Sequence, residues 1–306
     1  MRSEFDFIAK IKAMASRKDP TSEPNFKGVG DDCAVIPKDS QTDLLITADL
    51  LIEDVDFRRS WADPESLGRK SLSVSVSDIA AMGGRPKYSL LTLGVPEELW
   101  ETGFTDSFMA SYLELANGMG ITLIGGDISK SPDRLTIDSI VIGEVEKGSA
   151  ILRSGATVGD LICVTGFLGG ARAGLELLER GSSDGLIFTN LIRRQKEPEA
   201  RVEESAALRS SGVVTSMIDI SDGLIGDLRH LCEESELGAR VDIGSIPVDP
   251  EVQAAISAGA LIENRSGTEY AIRGGEDFEL LFTVERDGLE KLKASCPRSE
   301  EHTSEL

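Results

Sequence analysis

The chain has 306 residues, 40% of them hydrophobic and 28% charged, and its 32 Lys and Arg against 53 Asp and Glu leave a net charge of -21. That length predicts two domains with real cores. The charge argues against a nucleic-acid partner, whose phosphates need a basic surface, and no apolar run is long enough to span a membrane.

Met1 to Ala15 mixes charged residues with apolar ones at helical spacing and predicts an ordinary first helix, not a signal peptide. Leu44 to Ala48 reads as a buried strand. Pro64 to Met82 reads as a helix, with Asp63 as its cap and Gly83-Gly84 as its stop. Tyr88 to Gly94 is strand-like, Phe104 to Met119 helical, and Ile121 to Ile124 a strand leading into Gly125-Gly126-Asp127. Leu135 to Glu144 is a further strand. The pattern pauses at Lys147-Gly148-Ser149, which places a domain boundary near residue 148. Beyond it, Asp160 to Thr165 is predicted as a strand, Gly169 to Arg180 and Glu199 to Ser211 as helices, and Ser216 to Ile220 as a strand. Leu224 to Ser235 follows as a helix, with strands at Arg240 to Ile243 and Glu279 to Val284. Both halves are mixed α and β. The last nine residues, Arg298 to Leu306, read as a translated sequencing adapter. They are set apart from the fold, which gives domains of 1-148 and 149-297 and a non-native tail of 298-306.

His230 and His302 are the only histidines, so histidine-based metal sites and Ser-His-Asp chemistry are disfavoured. Cys33, Cys163, Cys232 and Cys296 are scattered without a CxxC pair, as in a reduced, cytoplasmic protein. The informative residues are carboxylates beside small residues at the ends of elements: Gly28-Val-Gly-Asp-Asp32, Thr47-Ala-Asp49, Ser77-Asp78, Gly125-Gly-Asp127 and Asp219-Ile-Ser-Asp-Gly223. Hard oxygen donors of this kind suit magnesium, and the glycines let backbone amides approach a phosphate. Asp32 and Asp222 also fit simple turn positions beside glycine, and an Asp at a helix start is a common cap. Asp78 lies in an apolar and small segment, where an unpaired carboxylate would be costly, so ligand or ion-pair duty is expected of it. No Walker loop, GxGxxG helix start or protein-kinase motif set is present.

Taken in order, GVGDDCAV (28–35), TADL (47–50), GRKSLSVSVSDIAAMGGRP (68–86), LIGGDISKS (123–131), LRSGATVGD (152–160), DISDGLIGDL (219–228) and GGEDFELLFTV (274–284) resemble the thiamine-monophosphate kinase family. SDIAAMG and GGD are shared with the wider aminoimidazole-ribonucleotide synthetase-like superfamily. The resemblance implies an N-terminal α/β domain whose sheet pairs in a homodimer and a C-terminal α/β domain. It implies magnesium- and ATP-dependent phosphorylation of thiamine monophosphate to thiamine diphosphate. By motif, Asp31, Thr47, Ala48 through its carbonyl, Asp49, Asp78, Asp127, Asp219 and Asp222 would hold several magnesium ions. Gly126, Asp127, Arg153 and Ser221 would contact ATP, Arg153 and Asp222 would serve catalysis, and Asp56 and Glu276 would flank the thiamine moiety. Ser75 stands where the family usually has Asn. The family continues past Val284 to an aromatic substrate contact, so a chain cut near Pro297 is expected to be impaired. A sister synthetase of the superfamily and a non-catalytic nucleotide-binding regulator are the alternatives. An EF-hand calcium module is not, since no such loop is present.

Overall fold

A computed structural model of the chain describes residues 4–15, 26–181, 187–262, 265–295 and 304–305. After helix α1 (Glu4–Ala15), the first half lays down β1 (Ala34–Pro37), β2 (Thr42–Ile52), α2 (Pro64–Ala81), β3 (Arg85–Pro96), α3 (Phe104–Gly118), β4 (Thr122–Ser131) and β5 (Thr136–Glu146). The strands form one sheet in the order β1-β2-β5-β3-β4, antiparallel except where β3 meets β4. Burial alternates along β5, with Ile137, Ser139, Val141 and Val145 turned inward. Such a sheet has one covered face and one open face, and here α2 covers the inner one.

Helix α2 connects the two halves. Asp63 caps it by accepting from Ser66 N at 2.8 Å, Pro64 opens its first turn, and Gly83 at φ +73° ends it. The helix is buried along nearly all its length, including Ser66, Ser71, Ser73, Ser75 and Ser77. Small side chains allow close packing on both sides: a Cβ at Gly68 would sit 2.3 Å from the Phe108 carbonyl of α3. On the opposite flank, Ala80 and Ala81 join the core of the second half.

That second half contains β6 (Leu161–Val164), β7 (Val214–Asp219), β8 (Leu280–Val284) and β9 (Ser304–Glu305), antiparallel in the order β7-β8-β6-β9. Around them lie α4 (Gly170–Glu179), α5 (Thr189–Lys196), α6 (Val202–Ser211), α7 (Leu224–Ser235), α8 (Pro250–Ser257), α9 (Gly267–Arg273) and α10 (Leu289–Ser295). Every residue of β6 and β8 is buried, because both faces are covered. Cys163, Met217 and Phe282 point to the core containing Ala80 and Ala81, while Ile162, Ile218 and Leu281 point to the one containing Leu224 and Leu228 of α7.

The mixed α and β architecture expected from sequence is the one that forms. One predicted strand does not. Arg240 to Ile243 leads into a single 3₁₀ turn, Ile243–Ser245, because Asp242 accepts from Gly244 N at 3.1 Å and bends the chain. β1, α5, α8, α9 and α10 were not anticipated, and the helix expected from Glu199 begins at Val202. Of the predicted tail, only Ser304 and Glu305 are described, as a short edge on β6. Cys33 and Cys163 are buried and Cys232 is partly exposed, while Cys296 and His302 lie outside the described residues. No helix among the described residues is long and apolar enough to cross a membrane.

Candidate functional site

Three carboxylates from distant parts of the chain converge where the halves meet. Asp32 comes from the bend before β1, Asp78 from α2 and Asp219 from the end of β7, and one ligand oxygen of each lies within 4.8 Å of the others. Ser77 Oγ donates to Asp219 Oδ2 at 2.6 Å, the Thr47 hydroxyl donates to Asp78, and Arg153 Nη2 pairs with Asp32 Oδ1 at 2.6 Å. Burial raises all three carboxyls. Repulsion from Asp49, Asp219 and Asp32 pushes Asp78 further up, Asp32 does the same to Asp219, and Arg153 opposes the effect on Asp32. Asp49 on β2 is pushed up to about 6, mainly by burial.

This concentration of negative charge lacks sufficient cationic compensation. Asp32 Oδ2 and Asp49 Oδ2 are buried without a partner. Native proteins rarely leave such atoms unpaired. An all-oxygen donor set with orphaned carboxylate atoms fits magnesium better than softer metals. Asp32, Asp49, Asp78 and Asp219, with Thr47 beside them, are the residues that would hold it.

From the first motif, the cluster takes Asp32; sequence pointed to Asp31. Asp31 instead faces the backbone of Arg153, accepting from its N–H at 3.3 Å, and its carboxyl is pushed up to about 7 by burial and then by Asp32. Adjacent identical residues gave no sequence signal for which one turns inward.

A cleft of about 480 Å³ opens beside the cluster, lined by Asp49, Asp56, Ser221, Asp222 and Glu276 together with Trp61, Val74 and Phe278. Five of the sequence-derived site residues therefore share one cavity. Two loops shape its floor. Glu276 N donates to Ser221 O at 2.8 Å and Phe278 N to Ile220 O at 2.9 Å, which binds the 219–223 motif to the 274–278 motif. Contact is so close that a Cβ at Gly275 would lie 2.4 Å from Ser221 O. Asp227 Oδ2 accepts from Asp222 N at 3.2 Å and from Gly223 N at 3.0 Å, fixing the turn that opens α7. Asp56 closes its own turn by accepting from Ile52 N at 2.8 Å.

Glu276 is held in the left-handed region at φ +64°, uncommon outside glycine. Its carboxylate meets Lys70 Nζ at 2.8 Å and the Gln195 side-chain amide. Sequence reasoning singled out neither Lys70 nor Asp227, although each lies inside a quoted motif.

Gly126 and Asp127 are not brought to the cluster. Asp127 stands in the cross-strand row Leu50, Asp138, Thr92, Asp127 on the open face of the first sheet. Three strand spacings put it about 14 Å from β2. Gly126 has a structural reason to be glycine, since a Cβ there would lie 1.8 Å from Leu91 O. The Ala48 side chain also points to the open face, between Thr47 and Asp49, which point inward.

Two sheet domains joined by a carboxylate cluster at the end of α2 define the class built on the AIR synthase fold. The family model "AIR synthase related protein, N-terminal domain" matches residues 30–145, and "AIR synthase related protein, C-terminal domain" matches residues 157–305. Within that class, the thiamine-monophosphate kinase of Bacillus subtilis (strain 168) is 36% identical over 296 residues, covering 96% of this chain and 87% of the relative. The thiamine-monophosphate kinase of Escherichia coli (strain K12) is 36% identical over 287 residues, covering 92% and 82%. A solved structure of AaThiL complexed with AMPPCP and TMP superposes with a TM-score of 0.85 at 32% identity, over 100% of this chain and 91% of the other. The chain belongs to the thiamine-monophosphate kinase family. Hydrogenase maturation protein HypE, at 19% identity and a TM-score of 0.68, shares the fold.

Proposed function

We propose that the chain transfers the γ-phosphoryl group of ATP to the phosphate of thiamine monophosphate, giving ADP and thiamine diphosphate. The observation that carries this reading is the adjacency of the Asp32, Asp78 and Asp219 cluster to the cleft holding Asp56, Ser221, Asp222 and Glu276. A new P–O bond forms between an acceptor phosphate oxygen and the γ-phosphorus as the bond to the bridging oxygen of ADP breaks. No side chain has to remove a proton, because a phosphate monoester is largely ionised at neutral pH.

Magnesium, when bound, supplies charge neutralisation and polarises the transferred group. The protein's own part is placement. Asp32, Asp49, Asp78 and Asp219 hold the metal, with Asp222 at the cleft wall as a further carboxylate. Arg153 anchors Asp32 and retains a buried, unpartnered Nε as a donor for a phosphate oxygen. Ser221 offers a hydroxyl to the nucleotide. Glu276 and Asp56 face the positively charged thiamine moiety.

The reading includes a homodimer formed through the first sheet. Its support is the uncovered face, where Leu50 and Tyr88 are 54% and 43% exposed. Gly126 and Asp127 lie on that same sheet and would meet the nucleotide from there. A cytoplasmic location is proposed on the four scattered cysteines of the sequence, which form no CxxC pair.

ADP release with ATP, magnesium and thiamine monophosphate tests the reading, with unphosphorylated thiamine as the control. Turnover that needs the monophosphate supports it. Equal ADP release with either acceptor, or with none, overturns it.

A further inference from the structure

Lys70 is 3% exposed in the middle of α2, and its ammonium meets Glu276 Oε1 at 2.8 Å and the backbone oxygen of Gln195 at 3.1 Å. Gln195, itself 5% exposed, donates its side-chain amide to Glu276 Oε2. Each oxygen of Glu276 therefore has its own partner, one from α2 in the first half and one from α5 in the second. The backbone of Glu276 is tied by its N–H to Ser221 O at 2.8 Å. A non-glycine residue at φ +64° persists only where its surroundings over-determine it, and three independent attachments do so here.

Burying an ammonium is costly, and more so if its partner is lost. A simple tie between two halves does not require that cost, since apolar contacts between α2 and the second core already join them. What Lys70 adds is direction. Lys70, Val74 and Ser77 follow one another at i, i+4 and i+7 and share a face of α2. Val74 lines the cleft, and Ser77 orients Asp219 at its far end. Seven residues of helix span about 10 Å. One rigid helix thus fixes the separation between the carboxylate facing the acceptor and the cluster where phosphoryl transfer would occur.

We propose that Lys70 is a positioning residue for the acceptor. Through its ion pair it points Glu276 into the cleft and sets the distance at which a cationic, nitrogen-bearing ring is held from the Asp32, Asp78 and Asp219 cluster. The inference rests on the acceptor reading given above.

The test compares Lys70→Met, Lys70→Arg, Glu276→Gln and the Lys70→Met/Glu276→Gln double variant in the full chain. Wild-type turnover with thiamine monophosphate is measured first; its absence overturns the functional reading itself. With turnover established, Lys70→Met should raise the KM for thiamine monophosphate by about tenfold or more while leaving the KM for ATP unchanged. Lys70→Arg should recover part of the loss, and the double variant should be no worse than Glu276→Gln alone. A KM for thiamine monophosphate within about twofold of wild type in Lys70→Met, or an equal rise in both KM values, overturns the positioning role. So does a double variant whose loss is the product of the two single losses.

Discussion

Ser77 Oγ donates to Asp219 Oδ2 at 2.6 Å, a single hydrogen bond that joins the helix covering the first sheet to the strand end of the second. Ser77 and Asp219 are both almost wholly buried, so this bond orients a carboxylate that has few other constraints. Replacing Ser77 with alanine should lower stability by only about 1 kcal/mol, the usual net worth of such a bond. Magnesium affinity should fall further, by about tenfold, as expected when a partner that orients a metal ligand is lost. Chemical denaturation and magnesium titration of the same variant measure the two effects separately.

Asp78→Asn should separate stability from function. Asp78 is half-buried beside Asp49, Asp219 and Asp32, whose charges repel its own. Removing that charge should abolish turnover and, in EDTA, raise stability by about 0.5–2 kcal/mol. Asparagine still accepts from Thr47, so the gain is not offset by a lost bond. Thermal melting with and without magnesium reads both halves of the expectation. Lower stability in EDTA would contradict it.

Asp31 and Asp32 should behave differently despite being neighbours. Magnesium at a hundred times its Kd should stabilise the wild type by about 2.7 kcal/mol. Asp32→Asn should lose most of that increment and Asp31→Asn should keep it, because the cluster includes Asp32. The pair also shows where sequence stops being informative. The grammar of carboxylates beside small residues at element ends pointed to Asp78 and Asp219. The Pro64 start and Asp63 cap of α2 could be read directly, because capping is local chemistry. Which of two adjacent aspartates turns inward depends on Arg153, more than a hundred positions away, and no local pattern encodes that. The same holds for Lys70, which resembles any surface lysine until α5 and the 274–278 loop close over it. Short helices such as α8 and α9 were missed because a few residues give too little periodicity, and Asp242 diverted a strand-like run into a turn.

Arg201 clasps the fully buried Glu279 with two bonds, Nε to Oε2 at 2.7 Å and Nη2 to Oε1 at 2.6 Å. Arg201→Met leaves that carboxylate with Arg194 at 3.5 Å and the Thr165 hydroxyl. The loss should be about 3 kcal/mol, the lower end of the cost of breaking a buried pair. Denaturant unfolding measures it, and a change below about 0.5 kcal/mol would place the pair among those that contribute nothing.

Asp277 caps α4 by accepting from Gly169 N at 2.7 Å and Ala171 N at 3.1 Å, yet burial pushes its carboxyl up to about 7. The folded protein thus holds this proton more tightly than the unfolded chain does. The resulting stability is fully present below about pH 4 and is lost as pH rises through about 7. Relative to Asp277→Asn, the wild type should therefore gain most from acid conditions, and its advantage should shrink between about pH 4 and 7. Urea unfolding of both proteins across that range, in EDTA, checks the sign.

The measurement that bears most directly on the central claim is ADP release by the purified chain, with ATP and magnesium, in the presence of thiamine monophosphate or thiamine. Turnover is expected with the monophosphate, little with thiamine, and none with either in Asp78→Asn. Magnesium-dependent ATP binding without any release stimulated by the monophosphate would contradict it.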